Sequence, residues 1–300
     1  DTLLGVYRAS NLLLHTVKRT TVGKVSYLAN LYSTRDGLIP VLLSSVETDD
    51  EINGAAISAR YLMLELGAEH ELVSYDISNV YAPKRVNRIY NPQAISHDGL
   101  QILGERFYSY SNGNLHSGRV LGADWLDTPL SALDLIADSD YLYLLTATAV
   151  EVRDISAPHG LVTSLDHLLI SPQQLSLSPQ RLLLIGDDEI QLLDSSDLAA
   201  NSTISSLGVA PVVGLRQVDL NGELLALLSE SSGITRLQVM DVDRAAPLSS
   251  QLSLQTISDI RAPHDLSDIQ QLRFEQDVLE WQVGNRYLNL QIPLINIWDS

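Results

Sequence analysis

Residues 173–196 read QQLSLSPQRLLLIGDDEIQLLDSS, and their punctuation decides the fold. Three short apolar runs, QQLSLS, RLLLIGD and IQLLD, are separated by Pro179-Gln180 and by Asp187-Asp188. An amphipathic helix needs its apolar stripe to continue at a 3.6-residue period for about a dozen residues. Runs this short, closed by Pro, Gly and Asp, read instead as strands joined by turns. Leu dominates the runs and forms helices more readily than strands, so propensity by itself points the wrong way. The turn spacing overrules it.

The pattern recurs. Second-strand phrases are RYLMLEL from Arg60, GLQILGE from Gly99, YLYLLT from Tyr141, RLLLIGD from Arg181, ELLALLS from Glu223 and DVLEWQV from Asp277. Aligned on Leu62, Leu100, Leu142, Leu182, Leu224 and Val278, they lie 38, 42, 40, 42 and 54 residues apart. One four-stranded propeller blade consumes roughly 40–45 residues. Each phrase follows an apolar run and a polar turn, as with ALDLIA before Asp138-Ser139-Asp140 or LRQVDL before Asn221-Gly222. Each precedes a third run that ends in Asp, at Asp76, Asp154, Asp194 and Asp241, and a weaker fourth run then leads back, as at 84–90 and 161–168.

An all-β fold follows: a β-propeller of four-stranded antiparallel blades, a single domain over residues 1–300. Seven blades are expected, near 1–50, 51–92, 93–129, 130–172, 173–211, 212–263 and 264–300. Six or eight also fit, because the N-terminal stretch repeats the pattern least clearly. Residues 2–8 are expected to close the ring beside RYLNLQI near the C-terminus, which would leave no open sheet edge.

Composition narrows the partners. With 19 Lys+Arg against 37 Asp+Glu the net charge is −18, and a phosphate backbone needs clustered cations, so nucleic acid is not an expected partner. At 45% hydrophobic residues the chain has material for a large core, yet no apolar run approaches the roughly 20 residues of a spanning helix, so no transmembrane segment is expected. The absence of cysteine excludes disulfides, thiolate metal sites and thiol nucleophiles. The chain opens on Asp1 with no charged-then-apolar leader, which reads as a processed chain or a piece of a longer one.

The Asp-ended third runs, LVSYDISNVYAP from Leu72, VEVRDISAPHG from Val150 and LQVMDVDRAAP from Leu237, resemble the LVIVD-repeat family, with IQLLDSSDLAA a copy that lacks Pro. The resemblance covers about four of the seven units. It implies a propeller scaffold of the kind found in bacterial secreted and cell-surface proteins, hence an extracellular, cell-surface or periplasmic location. The motif also has a physical reading. An Asp at a strand end can accept hydrogen bonds from backbone N–H groups one or two residues on, which makes these carboxylates structural.

Motifs for chemistry are missing. There is no G-x-S-x-G elbow, no P-loop, no dinucleotide fingerprint and no Asp-rich calcium loop. HELVS at His70 begins like a zinc-protease helix, but Ser74 stands where the second His must be. The seven histidines are scattered without paired spacing and read as solvated or capping groups; His159 and His264 share an APH context without being expected to meet. The hairpin SYSNGNLHSGR, residues 109–119, reads as longer than a tight turn and carries Tyr110, His116 and Arg119, a mixture suited to recognition.

One constellation remains. Loops between second and third strands and between blades share a face, and they contain Asp49, Asp50, Glu51, Glu69, His70, Asp187, Asp188, Glu189, Glu230, Asp265 and Asp268. Such carboxylates either ring a channel mouth, drawing cations or a basic protein patch, or simply solvate turns. No cofactor is implied, and a divalent cation is the one group such a ring would admit. The expected function is a non-enzymatic binding or scaffold module of a secreted or cell-envelope bacterial protein or assembly, with a protein or glycan partner. The alternative is a carbohydrate-active propeller hydrolase or lyase with a cation-assisted site at the channel mouth.

Overall fold

The computed structural model describes residues 2–9, 11–34, 40–90, 96–122, 125–155, 160–178, 180–221, 224–242, 254–260, 269–275, 278–283 and 286–291. They form seven antiparallel sheets, six of four strands and one of three. The first holds β1 (Thr2–Ala9), β2 (Leu12–Thr21), β3 (Lys24–Ser33) and β4 (Val41–Thr48). The second holds β5 (Ile52–Ile57), β6 (Tyr61–Leu66), β7 (Glu71–Asp76) and β8 (Lys84–Ile89), and the third β9 (Asp98–Leu103), β10 (Arg106–Ser111), β11 (Asn114–Arg119) and β12 (Trp125–Pro129). The fourth is β13 (Asp134–Ala137), β14 (Tyr141–Leu145), β15 (Ala149–Asp154) and β16 (Gly160–Asp166). The fifth is β17 (Pro172–Ser178), β18 (Arg181–Gly186), β19 (Glu189–Asp194) and β20 (Ser205–Pro211). The sixth is β21 (Leu215–Asn221), β22 (Leu224–Ser231), β23 (Ile234–Val242) and β24 (Leu254–Ile260), and the seventh β25 (Ile269–Glu275), β26 (Val278–Val283) and β27 (Arg286–Gln291). Among the described residues the one α-helix is a single turn, α1 (Leu198–Asn201).

Two compact units divide the chain, Asp1–Tyr141 with Ile155–His159, and Leu142–Asp154 with Gly160–Ser300. Inside the first unit the leading strands β1, β5, β9 and β13 pack one against the next, and inside the second β17, β21 and β25 do the same. A sheet sandwiched between neighbours buries both faces, which is why its middle strands read as continuous apolar runs rather than alternating ones. In β6, Leu62 and Leu64 join a cluster with Leu14 and Leu31 of the first sheet, while Tyr61 and Met63 join Phe107 and Ile102 of the third. In the second unit Leu183, Ile190 and Leu192 of the fifth sheet meet Leu220, Leu225 and Leu227 of the sixth. Each such fully buried side chain contributes roughly 1.5–3 kcal/mol of hydrophobic stabilisation.

Two of the four strand-end aspartates, Asp76 and Asp194, are seen to act as the sequence suggests. Asp76 Oδ1 accepts the Ser78 N–H at 2.8 Å and its hydroxyl as well, and Asp194 Oδ1 accepts the Ser196 N–H at 2.9 Å. The Ser78 hydroxyl and N–H hold the Asp76 carboxyl below its ordinary pKa. At Asp194 partial burial pushes upward, but the Ser196 bonds and Arg181 together outweigh it and the pKa falls. Asp154 ends β15, whereas the side chain of Asp241 lies outside the described residues.

Three expectations are corrected. Leu100 lies in β9, a first strand; the second strand of that sheet is β10, whose second residue is the fully buried Phe107. Residues 2–9 are the leading strand of the first sheet, in register with β2 from Thr2↔Lys18 to Ala9↔Leu12. The hairpin at 109–119 is tight: Ser111 pairs with Asn114, and Asn112 and Gly113 take φ of 48° and 75°, the left-handed pair such a turn demands.

Candidate functional site

In the first unit, two histidines that are far apart in sequence, His70 and His97, meet at one buried carboxylate, and a third, His116, stands beside the second. Glu65, on β6, is 2% exposed. Its Oε1 accepts the Nδ1–H of His70, in the turn after β6, at 2.5 Å, and the backbone N–H of His97, just before β9, at 3.1 Å. The carboxylate reaches there because position 54 is glycine: a Cβ on Gly54 would come within 2.7 Å of Glu65 Oε2. His97, 4% exposed, shares a hydrogen bond with the Ser109 hydroxyl through Nδ1 at 2.9 Å. Its ring centroid lies 5.8 Å from that of His116 and 5.3 Å from that of Trp125. His116 is fixed in turn by Asp127 at Nδ1, 2.7 Å, and by Ser111 at Nε2, 2.9 Å. Burial, reinforced by the nearby His116 and His70, depresses the His97 pKa to about 3, with Asp127 pulling weakly the other way. His97 is therefore a neutral imidazole at physiological pH.

Three of the seven histidines, His70, His97 and His116, are thus gathered rather than scattered, and they brace the fold. Glu65 ties the loop that enters the third sheet to the second sheet, and Asn87 repeats the tie by donating to Val120 O at 3.0 Å and Gly122 O at 2.7 Å. Sequence reading missed Glu65. Its signal is a lone charge in YLMLEL, a strand buried along its whole length. His159 and His264 lie outside the described residues.

The acidic loops fall into two groups. In the first unit Asp49 pairs with Lys24 at 3.0 Å, an exposed contact, and the turn carrying Glu69 and His70 is pinned by Gly67 N–H to Glu51 O at 2.8 Å and by Asn53 Nδ2 to Gly67 O at 2.6 Å. Asp50, Glu51 and Glu69 are exposed. In the second unit Asp187 accepts from Gln173 Nε2, Glu189 accepts the Ile170 N–H, Asp188 Oδ1 accepts the Gly214 N–H at 2.7 Å, and Glu230 faces Arg216 at 3.4 Å. Asp265 and Asp268 lie outside the described residues. Among the described residues no group of three or more His, Cys, Asp or Glu is arranged to hold a metal ion.

What Asp188 braces is the wall of a cleft. Pro211–Val213 on one side and β22–β23 on the other enclose about 460 Å³. Gly214 fixes this wall: at φ +68° it donates to Asp188 and accepts the Glu230 N–H at 2.8 Å, and a Cβ there would strike Glu230 O at 1.8 Å. Val213 and Ile234 stand at the mouth, 69% and 57% exposed. Alternate residues of β23 line the floor, Ile234, Arg236, Gln238 and Met240, beside Leu227, Ser229 and Ser231 of β22. The register Ser229↔Arg236 and Leu227↔Gln238 puts these side chains on one face. The sequence signal was an apolar pair, Val212-Val213, in a loop, and an isoleucine directly after Ser232-Gly233.

The sequence matches no protein-family model and no curated protein. Solved structures share the architecture. The β-propeller domain of Myceliophteria thermophila Cps50 (Swd1) is similar over 97% of this chain and 99% of its own, with a TM-score of 0.67 at 10% identity. Saccharomyces cerevisiae Sqt1 is similar over 98% of this chain and 83% of its own, TM-score 0.62, 10% identity. The computationally designed Ika8 protein covers 97% and 83%, TM-score 0.63, 13% identity. At these identities the likeness is one of fold: the chain has a β-propeller fold of seven sheets.

Proposed function

We propose that this protein is a non-enzymatic β-propeller binding platform and that its recognition surface is the cleft between Pro211–Val213 and β22–β23. The observation that carries this is the exposure of Val213 and Ile234 at the mouth of a 460 Å³ concavity. Ligand sites are typically concave, about 300–1,000 Å³, mostly apolar, and equipped with a few polar groups. Fold likeness adds that propellers serve as scaffolds, an analogy. On this reading the buried Glu65–His70–His97 network and the carboxylates of Asp187, Asp188 and Glu189 brace loops, and the partner is a protein segment. Membership of the LVIVD-repeat propellers and a secreted or cell-envelope bacterial setting are finer proposals; the former rests on the Asp-ended strands, the latter on that resemblance. Fractionation of the producing cell tests the setting, and recovery in the cytosol refutes it.

Panning a displayed random-peptide library on the wild-type chain, with counter-selection on the double variant Val213→Asp/Ile234→Asp, tests the platform. Peptides that bind the wild type and lose at least tenfold in affinity on the variant support it. Enrichment indifferent to these two residues, or none, refutes it.

A further inference from the structure

Resting on that reading, we propose that the occupant of the cleft is an extended internal peptide segment with an acidic side chain two residues away from an apolar one. The acid engages Arg236, and the apolar side chain sits between Val213 and Ile234.

The charge of the cleft points to the acid. In a chain of net charge −18, the described residues that line the cleft include no Asp or Glu and a single Arg. Arg236 is exposed, and its guanidinium has no hydrogen bond or ion pair with another described residue. Around it stand the hydroxyls of Ser229 and Ser231 and the amide of Gln238, which can donate to the same anion. A guanidinium presents a planar fork that matches a carboxylate with two parallel bonds. A phosphate dianion or an anionic membrane asks for several cations, and the described cleft lining offers one. Of the acids close in register, Glu230 across from Thr235 faces Arg216 and Asp259 stands across from Gln238, while carboxylates more than about 8 Å away are screened at physiological salt.

The spacing points to an extended segment. Ile234, Arg236 and Gln238 follow one another at every second residue of β23, a repeat of about 6.5–7 Å. An extended peptide laid along that face has the same repeat, so neighbouring side chains on its inner side meet the apolar mouth and then the cation. A helix, with side chains recurring at three and four residues, would not keep this step.

Peptides enriched on the wild type are synthesised with terminal acetyl and amide groups, each also as the form with its acid replaced by the matching amide. Binding is measured by fluorescence anisotropy on the wild type and on Arg236→Gln, whose melting temperature confirms folding. The expected result is about a tenfold loss from the acid-to-amide change on the wild type, the same from Arg236→Gln, and no further loss when both are combined. Peptides that depend on Val213 and Ile234 but carry no acid at that step, or whose acid contributes equally with and without Arg236, overturn this inference and leave the platform standing. If no peptide distinguishes the wild type from Val213→Asp/Ile234→Asp, or from the milder Val213→Ser/Ile234→Ser, the platform falls and this inference with it.

Discussion

Acidification from pH 7.5 to pH 5 will destabilise the protein through His97 by about 2 kcal/mol, and His97→Asn will remove that part of the loss. In the fold this imidazole is 4% exposed and its pKa is depressed to about 3, against about 6.5 in an unfolded chain. Between these values the unfolded chain binds a proton that the native state refuses. Stability therefore rises with pH through this window and is lost as pH falls below about 6.5. At pH 5 the unfolded histidine is almost wholly protonated and the native one is not, so the difference is about 1.5 pH units at 1.36 kcal/mol each. Asparagine keeps a hydrogen-bonding atom near the position of Nδ1, so the Ser109 contact can persist while the titration disappears. Urea unfolding of wild type and His97→Asn at both pH values isolates the term, because the Glu65, His70, His116 and Asp127 contributions are carried in both proteins. Parallel losses in the two proteins would mean that His97 takes up its proton in the native state near pH 6, and the burial argument would fail.

Gly214→Ala will lower stability by about 3 kcal/mol, because a side chain at φ +68° is strained and its Cβ meets the Glu230 carbonyl; urea unfolding reads the loss, and a change under 1 kcal/mol would refute it. Phe107→Ala will cost about 3–5 kcal/mol, whereas Leu126→Ala, at a side chain 45% exposed, will cost less than about 1 kcal/mol; comparable losses would contradict the placement of Phe107 in the core. Asp194→Ala will cost about 1 kcal/mol at neutral pH through loss of the Ser196 N–H bond. The Asp194 pKa is lowered in the fold, so this contribution is complete above the unfolded carboxyl range and fades as pH falls through the folded value. An unchanging cost down to the pH at which the carboxyl is protonated would refute the assignment.

The repeat was legible because turns and strand ends are local. Asp76 and Asp194 bond to amides two residues away, and the apolar runs reflect sheets buried on both faces. Phase was harder. GLQILGE and RLLLIGD carry the same apolar pattern, and a period of two cannot tell a first strand from a second, so the pattern sets Leu100 in the place that Phe107 fills. The first sheet is hidden for the opposite reason: β1, TLLGVYRA with a bulge at Leu3/Gly5, lacks the clean run of the later strands and so reads as available for ring closure. The histidine network was out of reach, since His70, His97 and His116 become neighbours only when the second and third sheets pack. Nothing in the spacing of the acidic loops says which carboxylates find backbone amides, as Asp188 and Glu189 do.

That last distinction separates bracing from recognition. A carboxylate that accepts an N–H within its own fold is held in place by that bond, and a ligand that took it over would leave a loop amide without a partner, at about 1–3 kcal/mol if that amide stays buried. Glu65 under the His97 amide and Glu189 under the Ile170 amide are such braces, one in each unit, and Asp188 under the Gly214 amide is another. Arg236 is the opposite case. Its charge stays in water in the unbound protein, with Ser229 and Gln238 beside it and Val213 and Ile234 exposed nearby, so a carboxylate arriving with an apolar neighbour exchanges hydration for a matched bond and buries surface in the same event. The Asp188 brace makes that possible: by pinning Gly214 it fixes the wall that carries Val213 beside the cleft, and a preformed cleft loses less conformational entropy on binding than a loop that must be ordered.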